Sequence, residues 1–156
     1  MGTILRVPDT QFCGVPQDAE RRSVSSGESD DTAIKRKPTV LIVDDEHLIA
    51  DTLAEILSDK GYEATAVYNP RHAAEQIGDL CPDIVITDVL MPGMNGIELA
   101  KLIRTNCPGT RILLVSGQAA TAELVERAKH EGYSFEMLAK PVGPEKLLQR
   151  LRSTDF

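Results

Sequence analysis

From Pro38 onward the sequence alternates five times between a short apolar run and a longer amphipathic segment, and this alternation most limits the possible folds. The apolar runs, which we predict to be strands, are residues 40–43, 62–68, 84–87, 112–115 and 135–139. The segments between and after them, which we predict to be helices, are residues 47–60, 69–77, 97–105, 121–131 and 144–152. Strands that alternate with helices form a parallel sheet with right-handed crossovers. We therefore predict an α/β fold, a doubly wound sheet of five parallel strands with helices on both faces.

Residues 1–37 lack sustained hydrophobic periodicity, and the stretch 17–37 is polar and mixed in charge. Such a segment buries too little apolar surface to offset the entropy lost on ordering. We predict that residues 1–37 form a disordered polar extension and residues 38–156 the folded domain. Basic and acidic residues balance within the extension, so the net charge of −7 falls on the folded part. A domain this acidic lacks the basic footprint of nucleic-acid binding.

No apolar run approaches the roughly 18 residues of a membrane span, and the first residues turn polar too early for a secretory signal. We expect a cytoplasmic protein that contacts neither membrane nor nucleic acid directly. The three cysteines, Cys13, Cys81 and Cys107, are odd in number and widely spaced. This pattern is typical of neither a disulfide framework nor a metal site, so we expect Cys81 and Cys107 to be reduced thiols.

Polar residues stand at the ends of four of the five predicted strands: Asp44 and Asp45, Asp88, Ser116 and Lys140. Because the carboxyl ends of parallel strands meet at one edge of a sheet, we expect these side chains to converge. Carboxylates held close together repel one another unless a proton or a cation neutralises them. Oxygen ligands without His or Cys select Mg²⁺ over Zn²⁺. The sequence therefore predicts a Mg²⁺ site at this edge.

The same groups suit phosphoryl transfer. A carboxylate can act as a nucleophile and form an aspartyl phosphate, and the transferred group needs positive or hydrogen-bonding partners for its three oxygens. Each residue alone is an ordinary turn or cap residue, but their joint occurrence at successive strand ends is improbable as coincidence. The sequence has no P-loop and no G-x-G-x-x-G pattern, and we expect no organic cofactor.

These motifs resemble the receiver domain of two-component response regulators. The resemblance rests on Val43-Asp44-Asp45, the block Asp88–Gly96, Ser116 and Lys140-Pro141, and it covers residues 38–152. It implies a flavodoxin-like strand order, 2-1-3-4-5, as in stand-alone, CheY-like receivers. The function it implies is that of a signalling switch in a phosphorelay rather than that of an enzyme.

The resemblance also assigns roles to single residues. It implies that Asp88 is the phospho-acceptor, and that Mg²⁺ is held by Asp44, Asp45, Asp88 and the backbone carbonyl of Leu90. Lys140 would pair with the phosphoryl group, the Ser116 hydroxyl would follow it on activation, and Lys140-Pro141 would be a cis peptide. The donor would be a phosphohistidine on a sensor histidine kinase or a histidine phosphotransfer protein, and the change would reach an unknown downstream protein.

The sequence departs from the usual receiver at strand five, where Met137 occupies the switch position that normally holds Tyr or Phe. A flexible thioether can still repack, and Phe135, which shares its strand face, is a partial substitute. In receivers, the positions that Leu90 and Gln118 occupy here flank the path of the hydrolytic water. Because Leu90 offers that water no hydrogen bond, we predict a phosphorylated state that lasts minutes or longer.

Two other interpretations remain open. The first is a phosphohydrolase with an Asp nucleophile, although such enzymes need an acid two residues later, where this sequence has Leu90. The second is a degenerate receiver that only binds other proteins, which the complete set of site residues disfavours. Because no output domain follows residue 152, we expect either a stand-alone receiver or a part of a longer protein.

Overall fold

The structure is a computed structural model, and it describes residues 35–117 and 121–153. Gln118 and residues 1–34 lie outside the described residues, so the predicted disorder of the extension and its boundary at residue 38 stay predictions. The strands are β1 Thr39–Val43, β2 Glu63–Val67, β3 Ile84–Asp88, β4 Arg111–Ser116 and β5 Glu136–Ala139. The helices are α1 His47–Asp59, α2 Pro70–Leu80, α3 Gly96–Asn106, α4 Thr121–His130 and α5 Pro144–Arg152.

All five strands are parallel, and their order in the sheet is β2-β1-β3-β4-β5. The predicted fold class and strand order are thereby confirmed. The central strands are continuous apolar runs because both of their faces are covered; every residue of β3, for example, is buried. The order reverses between β1 and β3, so the crevice at their carboxyl ends is where a ligand is expected.

Two apolar layers hold the helices to the sheet, one on each face. Alternate residues of β1 point to opposite faces: Leu41 and Val43 join the first layer, and Val40 and Ile42 join the second. The first layer is completed by residues of α2, α3 and α4, and the second by residues of α1 and α5. No helix within residues 35–117 and 121–153 combines the length and apolar character needed to cross a bilayer.

Local sequence signals fix several helix starts near the site. The side chain of Asn69 accepts a hydrogen bond from Arg71 N, with Pro70 in the first turn, as the sequence predicts. The β3–α3 loop ends in a capping box, in which Asn95 and Glu98 each bind the other's backbone N–H. These caps satisfy the first amides of α2 and α3, which have no partners within the helices.

Cys81 and Cys107 form a disulfide bond, so the prediction of reduced thiols is wrong. The helix predicted to end at residue 77 runs on to Leu80, and Cys81 follows it in the left-handed conformation, with φ 37°. This extension and the crossover through β3 bring Cys81 to Cys107, which follows the last residue of α3. A separation of 26 residues carries no local sign of such a contact, because it depends on how α2 and α3 pack.

Arg111 ties the ends of three elements together at the amino end of β4. Its Nε and one terminal nitrogen donate to the carboxylate of Glu136, at 2.8 and 3.0 Å. The guanidinium also donates to the carbonyls of Arg150 and Leu151, at 2.9 and 3.1 Å. Those carbonyls belong to the last turn of α5, which has no acceptors for them within the helix. One side chain therefore joins β4, β5 and the end of α5.

Candidate functional site

Three carboxylates meet at the carboxyl edge of the sheet, as the strand ends predict. Asp44 and Asp45 follow β1, and Asp88 is the last residue of β3. One carboxylate oxygen from each lies within 4.8 Å of the other two. Asp44 and Asp88 are only 5% and 9% exposed, whereas Asp45 is exposed. The sheet thus presents a compact acidic cluster that is open to solvent on one side.

Lys140 reaches this cluster from the end of β5. Its Nζ lies 3.0 Å from Asp88 Oδ2 and 3.8 Å from Asp44 Oδ2. The Lys140-Pro141 peptide bond is cis, as the resemblance to receivers predicts. The other oxygen of Asp88 accepts a long hydrogen bond from Leu90 N, at 3.4 Å, and Asp44 Oδ1 accepts one from Glu46 N, at 3.0 Å.

The charges of the cluster are only partly compensated. Burial raises the pKa of the Asp44 carboxyl above its usual range, and the negative charges of Asp88 and Asp45 raise it further. The hydrogen bond from Glu46 N and the positive charge of Lys140 oppose this rise. Burial by itself lowers the pKa of Lys140, but its hydrogen bond to Asp88 and the surrounding negative charges outweigh burial, so that pKa is raised. One ammonium therefore faces three carboxylates, and further positive charge is favourable here.

Two glycines allow the chain to close around the cluster. A Cβ added to Gly96 would lie 2.1 Å from the backbone oxygen of Asp88, because Gly96 N donates to Val89 O at 2.8 Å and holds the loop against β3. A Cβ on Gly117 would lie 3.1 Å from Lys140 Cβ and 3.3 Å from Lys140 Cδ. Gly96 thus permits the close approach of α3 to the Asp88 backbone. Gly117, which follows β4, leaves room for the side chain of Lys140.

Ser116 ends β4, next to Ala139 of β5 in the register of the sheet. Its hydroxyl is buried and shares a hydrogen bond with the Thr121 hydroxyl at the start of α4. Ser116 and Met137 line one surface pocket of about 440 Å³ together with Lys140. The structure therefore places the two predicted switch residues beside one cavity, with the serine hydroxyl engaged by α4.

Phe135 lies elsewhere. It precedes β5, its ring stacks on Tyr133 with centroids 5.9 Å apart, and the Arg104 guanidinium lies 5.4 Å from its ring centroid. This group sits at the amino end of β5, whereas Ser116 is at the carboxyl end of β4. The geometry gives Phe135 a packing role between β5 and α3.

The residues present fit a Mg²⁺ ion. Asp44, Asp45 and Asp88 supply hard oxygen ligands, the cluster contains no His or Cys ligand, and its exposed side leaves room for the water molecules that Mg²⁺ retains. The raised pKa of Asp44 also fits a Mg²⁺ site, because a divalent cation would stabilise the ionised form of this carboxyl. A cavity of about 610 Å³ adjoins the cluster, between Asp88 and Lys140 on one side and Ile49 and Leu53 of α1 on the other.

Comparison with known proteins places this chain in one family. The family model described as response regulator receiver domain matches residues 40–152. The chain is 36% identical over 113 residues to the chemotaxis protein CheY of Thermotoga maritima, which covers 72% of this chain and 92% of that protein. It is 28% identical over 114 residues to the DNA-binding response regulator MtrA of Mycolicibacterium paratuberculosis, which covers 73% of this chain and 49% of that protein.

A solved structure of the chemotaxis protein CheY4 of Vibrio cholerae matches with a TM-score of 0.66 and 31% identity, over 75% of this chain and 98% of that one. The fold is thus that of the receivers of two-component signalling. The chain belongs to the response regulator receiver domain family. Members of this family are phospho-acceptor switches. The chain spans about half the length of the MtrA relatives that it matches.

Sequence reasoning identified the three carboxylates and the lysine of the cluster but missed three residues that shape it. Gly96 and Gly117 are needed for close approaches, and Thr121 holds the Ser116 hydroxyl. A glycine that directly follows a site residue, as Gly117 follows Ser116, is a usable signal of close backbone approach. Nothing in the sequence marks Thr121, since its contact depends on how α4 is placed.

Proposed function

We propose that this receiver accepts a phosphoryl group on Asp88 in a Mg²⁺-dependent reaction. The donor is a phosphohistidine on a sensor histidine kinase or on a histidine phosphotransfer protein. Phosphorylation changes the contacts that the domain makes with a downstream protein. The observation that carries the proposal is the placement of Asp88: one of its oxygens lies 3.0 Å from Lys140 Nζ, and Asp44 and Asp45 complete an acidic cluster within 4.8 Å.

The transfer replaces one bond to phosphorus with another. An oxygen of Asp88 forms the new O–P bond, the P–N bond to the donor imidazole breaks, and the imidazole nitrogen keeps the electron pair and takes up a proton. The ammonium of Lys140 is placed to pair with the incoming oxygens, because it already contacts the Asp88 carboxylate. Bound Mg²⁺ supplies positive charge that offsets the charge of the phosphoryl group and of the acidic cluster. Asp44, Asp45, Asp88 and the backbone carbonyl of Leu90 would hold the ion.

Ser116 and Met137 form the switch in this proposal. A phosphoryl group adds roughly −1.5 to −2 charges and strong acceptor oxygens. The Ser116 hydroxyl would exchange its bond with Thr121 for one to a phosphoryl oxygen, which removes this contact between β4 and the start of α4. Met137, beside the same pocket, would repack into the space that the serine leaves.

Intact-mass measurement tests the proposal directly. The protein is incubated with Mg²⁺ and phosphoramidate, a small donor with the same P–N bond as phosphohistidine. We expect a gain of one phosphoryl mass that disappears with EDTA and in Asp88→Asn, while the matched control Asp79→Asn, an exposed residue of α2, labels normally. No mass gain in the folded wild-type protein, or a full gain in Asp88→Asn, contradicts the assignment.

A further inference from the structure

The disulfide joins the ends of two neighbouring helices, far from the acidic cluster. Cys81 follows α2 and Cys107 follows α3, with their Cα atoms 5.5 Å apart, within the usual range for such bonds. The chain then enters β3 after Cys81 and β4 after Cys107. The disulfide therefore lies at the amino edge of the sheet, whereas Asp88 and Ser116 lie at the carboxyl edge. Its chemistry is spatially separate from the proposed phosphorylation.

The two sulfur-bearing residues differ in their access to solvent. Cys81 is exposed, whereas Cys107 is only 4% exposed. We therefore expect a thiolate from solvent to attack on the Cys81 side of the bond, which would leave Cys107 as the departing sulfur. Access of this kind is what makes a disulfide exchangeable in a folded protein. A disulfide with both halves in the core would instead wait for unfolding.

The α2–α3 interface does not depend on the disulfide alone. Ala73 and Ile77 of α2 and Ala100 and Ile103 of α3 are fully or almost fully buried in one apolar layer. We expect this packing to hold the helices together after reduction, so that the bond can open without loss of the fold. Its loss acts on the last turn of α2, where Cys81 keeps a positive φ and donates its N–H to Ile77 O at 3.1 Å. A non-glycine residue in this conformation is strained, and the bond to Cys107 helps to hold it there.

We propose that Cys81–Cys107 is a redox-responsive latch, opened by thiol reductants of the glutathione or dithiol class. A reductant thiolate attacks Cys81 Sγ, which forms a mixed disulfide and releases Cys107 as a thiolate that takes up a proton. A second reductant thiol then attacks the mixed disulfide and frees Cys81. Two reductant thiols are oxidised to one disulfide, and the protein gains two electrons and two protons. Opening the latch loosens the ends of α2 and α3 and gives the receiver a second chemical input.

The first test counts thiols in the folded protein. A Cys13→Ser background removes the remaining cysteine of the sequence. The protein is equilibrated with reduced and oxidised glutathione in varying ratio, then alkylated with N-ethylmaleimide and weighed intact. We expect no label under oxidising conditions, two labels under reducing conditions, and return to none when oxidised glutathione is restored. Two labels under every ratio, or reduction only in denaturant, would overturn the proposal.

Single-cysteine variants test which sulfur exchanges. In the Cys13→Ser background, Cys107→Ala keeps only Cys81 and should form a mixed disulfide with oxidised glutathione at least about tenfold faster than Cys81→Ala. Equal rates contradict the assigned direction of attack. Hydrogen exchange of the parent protein, which needs no variant, supplies the structural readout: amides of residues 77–81 should exchange at least about tenfold faster after reduction. The last turn of α1, residues 56–59, serves as the matched control, and its amide exchange rates should not change. Equal protection of residues 77–81 in the oxidised and reduced protein would refute the latch.

Discussion

Replacing Asp44 by Asn separates the structural cost of the acidic cluster from its proposed role in binding Mg²⁺. Asn preserves the shape of the side chain and can still accept the hydrogen bond from Glu46 N at 3.0 Å. The change removes a buried negative charge that is compensated only in part. We therefore expect the variant to be more stable than the wild type when Mg²⁺ is absent.

The contacts of Asp44 set the size of this gain. At a separation of about 4.8 Å, the upper limit for the oxygens compared, Asp44 and Asp88 repel by about 3.5 kcal/mol for an effective dielectric constant of about 20. Lys140, at 3.8 Å, attracts Asp44 by about 4.4 kcal/mol on the same scale, so these two contributions nearly cancel. Desolvation of a carboxylate that is 5% exposed remains, together with the repulsion from Asp45. We expect the free energy of unfolding to rise by about 1–2 kcal/mol.

Mg²⁺ should reverse this advantage. At a concentration of about ten times its Kd, an ion that binds only the folded state adds about 1.4 kcal/mol to the free energy of unfolding. Asp44→Asn removes a proposed ligand and should lose most of that gain. Urea unfolding at pH 7, with EDTA or with Mg²⁺, measures both effects, and Asp79→Asn provides an exposed control.

The pH dependence gives a second check on the same variant. The pKa of Asp44 is raised on folding, so its penalty is full above the folded pKa and fades as pH falls towards the ordinary value of 3.8. The stabilities of wild type and variant without Mg²⁺ should therefore converge in acid. A variant that is less stable than wild type in EDTA at pH 7, or one that keeps the full Mg²⁺ response, would refute the reasoning.

Three further changes test the close contacts and the lifetime of the phosphorylated state. Gly96→Ala forces a methyl group against the Asp88 carbonyl and should lower the free energy of unfolding by about 3 kcal/mol or more. Gly109→Ala, where the added methyl meets open space, should change it little in the same urea titration. Gly78→Ala, inside α2 with no atom near the added methyl, should raise the unfolding free energy by about 0.5–1 kcal/mol; a loss of stability would contradict its open surroundings. Leu90→Asn supplies a hydrogen-bonding group beside the proposed acceptor Asp88 and should shorten the lifetime of the phosphorylated state, which we predict to be minutes or longer in the wild type. Intact mass measured after removal of the donor follows this lifetime. A wild-type half-life of seconds would contradict this interpretation of Leu90.

The features that sequence predicts well here are those that repeat or that lie at the ends of regular elements. Five alternations of apolar and amphipathic segments set the order of strands and helices. The rule that ligands lie at the carboxyl ends of strands then predicts from the sequence that Asp44, Asp88 and Lys140 lie close together. The site charges follow from this rule because each stands within two residues of a strand end. Their backbone positions follow mainly from the sheet, and the sheet is strongly specified by its buried strands.

The features that sequence missed depend on packing between elements. Cys81 meets Cys107 because α2 and α3 lie side by side and both end at the amino edge of the sheet. The contact also requires α2 to run three residues beyond its predicted end. Arg111 reaches the last turn of α5 across about 40 residues of sequence, a contact that no local pattern encodes. Such contacts follow from the three-dimensional arrangement and become visible only with it.

The hydrogen bonds of Arg111 have a consequence for the proposed switch. Its four hydrogen bonds fasten the amino end of β4 to Glu136 of β5 and to the end of α5. Ser116 and Lys140 lie at the opposite ends of these strands, beside the acidic cluster. In the proposed switch, a displacement that begins at Ser116 or Lys140 is therefore expected to be smallest at the ends of β4 and β5 that Arg111 holds. We expect the larger movements at the edge of the sheet that carries Asp88.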